Sequence, residues 1–400
     1  MKFFNKKIIT IISLLLILNV FNLFSSIEDI KMWERLYYQA NSFKEKQEIM
    51  KSMKDKITTE FNDLIMQIVV EQSNMSFKIY EAKDYENLVI HTAAIAGKLK
   101  IKESTEYLKK IYEKVNSSIA KGEILNQIGN TENTEYLPWM NDLFRDFNTK
   151  QKGKGTQGIE EIIYGLILGI SAFSDESSFE YLLYAAMPHY SKKIQELAET
   201  TINKITNDPA KLCNEIILED PDYELKIDAL NFALKSASST EAKINTCKLT
   251  VNKIQWSEVP FNTIEKKKEL LNKSVYYLGE MKSNDDETIE MIEKKWDNET
   301  DYYSILFNIE ALQKIGTEKA AKVLIKKIKF WNDLKKEGAK EGFTSDDGHK
   351  IMIATLQALG KIKHRGSLEI LYDTVWTDSY GNIIKTEALR AIDSIMNTTK

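Results

Sequence analysis

"LQKIGTEKAAKVL", residues 312–324, is matched 47 residues later by "LGKIKHRGSLEIL", residues 359–371, and far upstream by "AGKLKIKESTEYL", residues 96–108. Each stretch opens on an apolar residue, repeats one at its fourth position, breaks at polar residues or glycine, and places a leucine at its thirteenth. Weaker copies begin at Leu125, Leu168, Ile202, Leu234 and Leu278, and a truncated "LRAIDSIM" begins at Leu389. Successive starts lie 29, 43, 34, 32, 44, 34, 47 and 30 residues apart. That is the spacing of helical-hairpin arrays.

The residues before each start carry apolar side chains at helical spacing, as Ile351, Ala354, Leu356 and Leu359 do. They predict the first helix of a pair, closed by the polar break. Leu108, Leu137, Leu324 and Leu371 then recur at one fixed offset and anchor a second helix. One such pair cannot bury both of its apolar stripes, so neighbouring pairs must stack on one another. Five Pro and 16 Gly in 400 residues, with abundant Lys, Glu, Leu, Ile and Ala, favour helix along the whole chain. No alternating β-branched run between turn signals argues for a sheet.

These copies resemble the HEAT and HEAT-like (PBS-lyase-type) repeats, whose short form reads roughly A-L-G-x-I-G followed by a second helix with a central Leu. The resemblance spans about residues 85–397 and is strongest at "EALQKIGTEKAAKVLIKKI" and "TLQALGKIKHRGSLEIL". The copies from Leu168 and Leu234 depart from it, lacking the second apolar position. It implies an all-α fold, an α-solenoid (superhelix) of stacked antiparallel helix pairs, and it says little about activity. An irregular α-solenoid of another type is the alternative. Residues 89–400 are assigned to the array and residues 27–88, which do not fit the register, to N-terminal capping helices that close its core. Thr58 or Thr59 is the expected N-cap within that segment.

The first residues read differently. Lys2, Lys6 and Lys7 precede an apolar run from Ile8 to Phe24 and two small residues, Ser25 and Ser26, which is the layout of a signal peptide over residues 1–26. The run is shorter than the roughly 20 residues a spanning helix needs, and Asn19 and Asn22 interrupt it, so no stable membrane span is expected after cleavage. Export to the periplasm or beyond follows as the expectation. The Lys, Ile and Asn bias resembles that of AT-rich bacterial genomes. Without residues 1–26 the chain carries 52 basic and 59 acidic residues, a net charge of −7. A mildly acidic exported protein is a poor partner for nucleic acid, whose phosphates call for clustered Lys and Arg.

Catalytic chemistry is sparsely represented. The four histidines, His91, His189, His349 and His364, form no zinc-protease pattern; G-x-S-x-G is missing; and "QKGKGTQG" lacks phosphate-loop spacing. The acids of "TSDDGHK" lack the alternating ligands of a calcium loop and read as a solvated loop. No catalytic residue, metal or cofactor is expected. Cys213 and Cys247 fall on the second helices of adjacent pairs, whose axes should lie roughly 8 to 10 Å apart, further than the roughly 7 Å between Cα atoms that a disulfide tolerates. Two buried free thiols are expected.

Three of the eight spacings are long, and the excess sits in "NTKQKGKGTQG" (148–158), "QWSEVPFNT" (255–263) and "EGAKEGFTSDDG" (337–348), with "VWTDSYGN" (375–382) as a shorter stretch of the same kind. All fall between a second helix and the next first helix, so they should line one edge of the stack. They carry the candidate partner-binding residues Lys152, Lys154, Trp256, Phe261, Phe343, Asp346, Asp347, Trp376 and Tyr380. The expected function is a non-catalytic scaffold that binds another protein of the cell envelope. An envelope enzyme or glycan-binding protein, using carboxylates and loop aromatics, is the alternative.

Overall fold

The structure is a computed structural model that describes residues 28–151, 158–337 and 345–397. The expected signal segment, and with it Lys152, Lys154 and Phe343, lies outside the described residues. Among the described residues every regular element is helical, and no helix is long and apolar enough to cross a membrane. The chain divides into two compact units, residues 1–206 and 207–400.

In the first unit the helices are α1 (28–39), α2 (Phe43–Met53), α3 (Asn62–Asn74), α4 (Ala82–Lys98), α5 (Thr105–Lys114), α6 (Ser118–Asn130), α7 (Leu137–Gln151), α8 (Glu160–Phe173), α9 (Phe179–Ala186) and α10 (Lys192–Ile205). Even-numbered helices pack in succession, α2 on α4, α4 on α6, α6 on α8 and α8 on α10, while α3 packs on α5 and α7 on α9. Two layers result, joined where each odd helix from α3 onward meets the next even one. Within residues 27–88, α2 and α3 take places in these same layers, and α1 is tied in by the buried hydroxyl of Tyr37, which accepts from Gln72 Nε2 at 3.0 Å. Thr58 occupies an N-cap position without a side-chain hydrogen bond, ahead of a single turn at Thr59–Phe61.

The second unit repeats the plan with α11 (Pro209–Glu219), α12 (Tyr223–Lys235), α13 (Thr240–Ile254), α14 (Ile264–Glu280), α15 (Asp286–Asp297), α16 (Tyr302–Ile315), α17 (Glu318–Lys336), α18 (Ser345–Ile362), α19 (Leu368–Trp376) and α20 (Asn382–Met396). Even helices stack from α12 through α20 and odd helices from α11 through α19. The stacked helix pairs expected from the repeats are therefore present in both units. Every repeat start falls on an even helix, and Ala96, Leu125, Ile202, Leu278, Leu312 and Leu359 are fully buried. The fixed-offset anchors Leu108, Leu137, Leu324 and Leu371 are buried on the odd helices.

The last repeat start needs correction. Leu389 is 51% exposed, whereas Ala391, Ile392 and Ile395 are buried. The cause lies in the contact that sets the register: a Cβ on Gly360 would come 3.1 Å from the Ala391 Cα, just as one on Gly279 would come 2.7 Å from the Ala311 Cα. Ala391 is thus the counterpart of Ala311, and the copy begins at Ile392.

The polar breaks have a common backbone device. Lys100, Lys282, Gly316 and Lys363 all have positive φ and all lie four residues after a repeat start, where they end the even helix in the left-handed conformation. After α14 the Lys282 N–H donates to the Gly279 carbonyl and the Ser283 N–H to the Leu278 carbonyl, both at 3.0 Å, which closes the helix in the manner of a Schellman turn. Lysines then cap helix ends across the stack. Lys98 donates to the Lys54 carbonyl at 2.7 Å, Lys204 to Ser171 at 2.6 Å, and Lys267 to Gln255 and Ser257 at 2.9 and 2.6 Å. Each places an ammonium where carbonyls lack intrahelical partners and the helix dipole is negative.

Candidate functional site

Helices of one layer run in one direction, so within a unit all odd-to-even connections emerge on one edge and all even-to-odd connections on the other. The two edges differ in what they expose. In the second unit Leu218, Trp256, Phe261, Tyr303, Trp376 and Ile383 are exposed, each in, or within two residues of, an odd-to-even connection. The other large apolar residues exposed there are Phe330 and Tyr372 on odd helices and Leu389 and Met396 on α20. In the first unit the odd-to-even edge exposes Ile79, Tyr80 and Ile119, while Met32, Leu36 and Tyr38 are exposed on α1. Among the described residues the tight left-handed turns of the opposite edge expose no large apolar side chain.

The segment 255–263 shows how the display is built. Its base is held by the Lys267 ammonium on the Gln255 and Ser257 carbonyls and by a 3.0 Å hydrogen bond between the Tyr223 and Ser257 hydroxyls. From that fixed base Phe261 stands 91% exposed and Trp256 53% exposed, with the Lys294 ammonium 5.0 Å from the Trp256 ring. At the end of α19, Trp376 is 73% exposed and stacks on Tyr372 with centroids 5.6 Å apart.

Three of the sequence-derived candidates, Tyr380, Asp346 and Asp347, are placed differently from expectation. Tyr380 is only 5% exposed, because the turn after α19 folds back. Its N–H donates to the Thr377 carbonyl at 3.2 Å, and the neighbouring Ser379 hydroxyl reaches the Lys335 carbonyl at 3.3 Å. Tyr380 is a core residue. The acids of "TSDDGHK" form the first turn of α18 instead of a loop, and there they complement the positive end of the helix dipole. Asp346 is ion-paired to Lys350 one turn on, at 2.5 Å. Among the described residues no three His, Cys, Asp or Glu side chains gather to hold a metal.

A concave feature opens where α15 ends, at this same edge: a cleft of about 290 Å³ between α15 and α17. Its apolar walls are Trp296, Phe330 and Trp331, the two indoles lying 6.2 Å apart with planes tilted by 50°. Asp297, Glu299, Lys326 and Lys327 complete the lining. Lys327 is ion-paired with Asp297 and holds its ammonium 4.9 Å from the Trp296 ring; Lys326 pairs with Glu293 at 2.6 Å. Behind the wall, Lys295 Nζ lies 3.6 Å from Glu299 Oε2, 3.2 Å from Asn272 Oδ1 and 3.4 Å from Asn308 Oδ1. Burial pushes the Lys295 ammonium below the ordinary lysine range. Trp296 and Trp331 are buried, as helical spacing leads one to expect of their stripes, and the cleft opens beside them at the exposed Phe330, which no sequence pattern singles out. A wider groove of about 570 Å³ lies where α1 ends and α2 begins, lined by Leu36, Gln39, Ala40, Lys44, Glu45 and Ile49.

Cys213 and Cys247 are free and buried on α11 and α13, which pack together. Burial pushes the Cys247 thiol up to about 12 and that of Cys213 higher still, so neither is a nucleophile at neutral pH. His91 is half-buried on α4, and burial together with Lys54 and Lys51 lowers its pKa.

No family model matches the chain, and no curated protein matches it. Solved structures are found. Human deoxyhypusine hydroxylase in complex with glycerol shares 12% identity over 86% of this chain and 99% of its own, with a TM-score of 0.28. A computationally designed self-assembling cyclic homooligomer shares 13% identity over 88% and 99%, with a TM-score of 0.13. These likenesses are too distant to bring an activity to this chain, and the fold stands on its own helix packing.

Proposed function

We propose that this chain is an exported, non-catalytic scaffold built on HEAT-like repeats, which binds a partner protein of the cell envelope through the solenoid surface and the inter-repeat connections. One observation carries the reading: among the described residues of the second unit, six of the ten exposed large apolar side chains lie at the odd-to-even connections, whereas the tight left-handed turns of the opposite edge expose none. Random surface tolerance would scatter such residues singly over both edges, whereas a gathered set marks an interaction surface. The pinned base of residues 255–263 supports it, since a rigid display loses less entropy on binding. The carboxylates of the aromatic cleft are each paired with a lysine. That favours the scaffold over an enzyme or glycan-binding protein using them as acid and base.

Replacing residues 255–263 with a short Gly-Ser linker tests the reading. With the linker keeping a serine at position 257 for the Tyr223 hydroxyl, the thermal midpoint should stay nearly unchanged, because surface loop length costs little stability, while capture of envelope proteins by the mature chain weakens. Undiminished capture with this linker and with the corresponding replacements at 148–158 and 337–348 would overturn it.

A further inference from the structure

We infer that Lys295 Nζ forms an isopeptide bond to Asn308 Cγ in the folded chain, joining α15 to α16 through their side chains and releasing the Asn308 amide nitrogen as ammonium, with Glu299 carrying the proton. The bond goes beyond partner binding and stands or falls independently of the scaffold reading.

Three groups of the required kinds meet in one desolvated place. Lys295 is 2% exposed and Asn308 is fully buried. Nζ lies 3.4 Å from Asn308 Oδ1, the oxygen bonded to the carbon under attack, and the flexible lysine stem can carry the nitrogen over that carbon. Folding has thus already met the entropic cost of bringing amine and amide together. Glu299 Oε2 lies 3.6 Å from Nζ, while its Oε1 accepts from the Thr300 and Asp301 N–H groups at 3.0 and 2.9 Å, so the backbone fixes the carboxylate beside the amine. Burial lowers the Lys295 pKa, which favours the uncharged amine that attack requires.

Hydrogen bonding chooses between the two amides that face the amine. Asn272 Oδ1 lies 3.2 Å from Nζ, but its Nδ2 is held by Ser304 Oγ at 2.9 Å. Asn308 Nδ2 is buried and has no hydrogen-bond partner among the described residues, so nothing retains it as a leaving group. An unsatisfied buried donor is costly, and so is a buried ammonium. The bond removes both at once, because it turns the ammonium into a neutral amide and expels the orphaned nitrogen.

The ammonium first gives a proton to the Glu299 carboxylate. The free amine then adds to Asn308 Cγ, forming the new C–N bond and moving the carbonyl electron pair onto Oδ1. As that pair returns, the Cγ–Nδ2 bond breaks. The departing nitrogen takes one proton from the attacking nitrogen and one from Glu299, so it leaves as ammonium and Glu299 ends as a carboxylate. No oxidant or co-reactant is needed.

Intact-mass measurement on the folded full chain tests the bond. The expected mass is that of the sequence less one ammonia. Residues 296–313 contain no Lys or Arg, so trypsin should release 295–314 as one peptide, uncut after Lys295 and lighter by one ammonia. Cutting that peptide after Glu299 should leave its two halves joined. Chain dissolved from inclusion bodies in denaturant should keep the full mass until it is refolded. Lys295→Arg and Asn308→Leu should keep it throughout, and Glu299→Gln should form the bond at least about a hundred-fold more slowly, as loss of a positioned acid–base group does. A folded wild-type chain at its full mass, cut by trypsin after Lys295, overturns the inference without recourse to any variant. So does ammonia loss that persists in Lys295→Arg, the mark of a succinimide, or a crosslink to the tryptic peptide 269–273 that carries Asn272. Bond formation at the wild-type rate in Glu299→Gln overturns the proton-carrying role.

Discussion

Lys295 Nζ lies 3.6 Å from Glu299 Oε2, in a buried position where the side-chain oxygens of Asn272 and Asn308 are its other acceptors. Burial holds its folded pKa below the unfolded value near 10.5. Between those two values the unfolded chain binds more protons, so stability from this group is fully present above the unfolded value and is lost as pH falls through the lowered folded one. Lys226 and Lys267 are lowered by burial too. Urea midpoints measured from pH 7 to 10 on freshly refolded chain, in which Lys295 is still a free amine, should therefore rise less steeply with pH in Lys295→Met than in the wild type. Parallel curves would show that Lys295 does not titrate as its burial requires.

Gly165 on α8 meets Gly122 on α6 backbone to backbone: a Cβ there would come 1.9 Å from the Gly122 carbonyl oxygen. No side-chain rotation relieves that contact. Gly165→Ala should force the two helices apart and cost roughly 1 to 3 kcal/mol, as overpacking does. Equilibrium denaturation reads the loss.

Lys282 is exposed and holds φ at 51° in the turn after α14. The left-handed conformation costs a residue with a Cβ roughly 1 to 2 kcal/mol, a cost that glycine avoids at the expense of a more flexible unfolded chain. Lys282→Gly should raise stability by about 1 kcal/mol or slightly less. A fall would mean that the side chain contributes more than its backbone costs.

Leu371→Ala removes a fully buried anchor on α19 and should cost roughly 2 to 5 kcal/mol. Leu389→Ala removes a half-exposed side chain and should cost well under half as much, with Ile392→Ala, at a buried position, nearer to Leu371→Ala. The ordering of the three denaturation midpoints checks the corrected register.

Cys213 and Cys247 should stay reduced and silent toward thiol reagents in the folded protein, since both are fully buried with raised pKa values. Mass spectrometry after labelling should add two modifications in denaturant and none without it. A blocked, oxidised pair would show that α11 and α13 approach more closely than this packing.

The sequence by itself determined the class of the fold and most of its register. Leucines at one fixed offset can be buried together only if their helices stack, and a helix pair has no other way to remove two apolar stripes from water. It also located the odd-to-even connections and their exposed Trp256, Phe261 and Trp376, because insertions in a periodic chain must leave the period at definite points. It could not decide which of several aromatics on a stripe face the core and which face a neighbour. Tyr380 is sequestered by a backbone turn, and Trp296 forms a cleft wall only because α17 presents Phe330 and Trp331 across from it. Nor could it place the close approach of Gly122 and Gly165, or the buried lysine shared among α14, α15 and α16. Those depend on distances between helices far apart in the chain, and such distances are set by the summed packing of many side chains, a quantity no local pattern encodes.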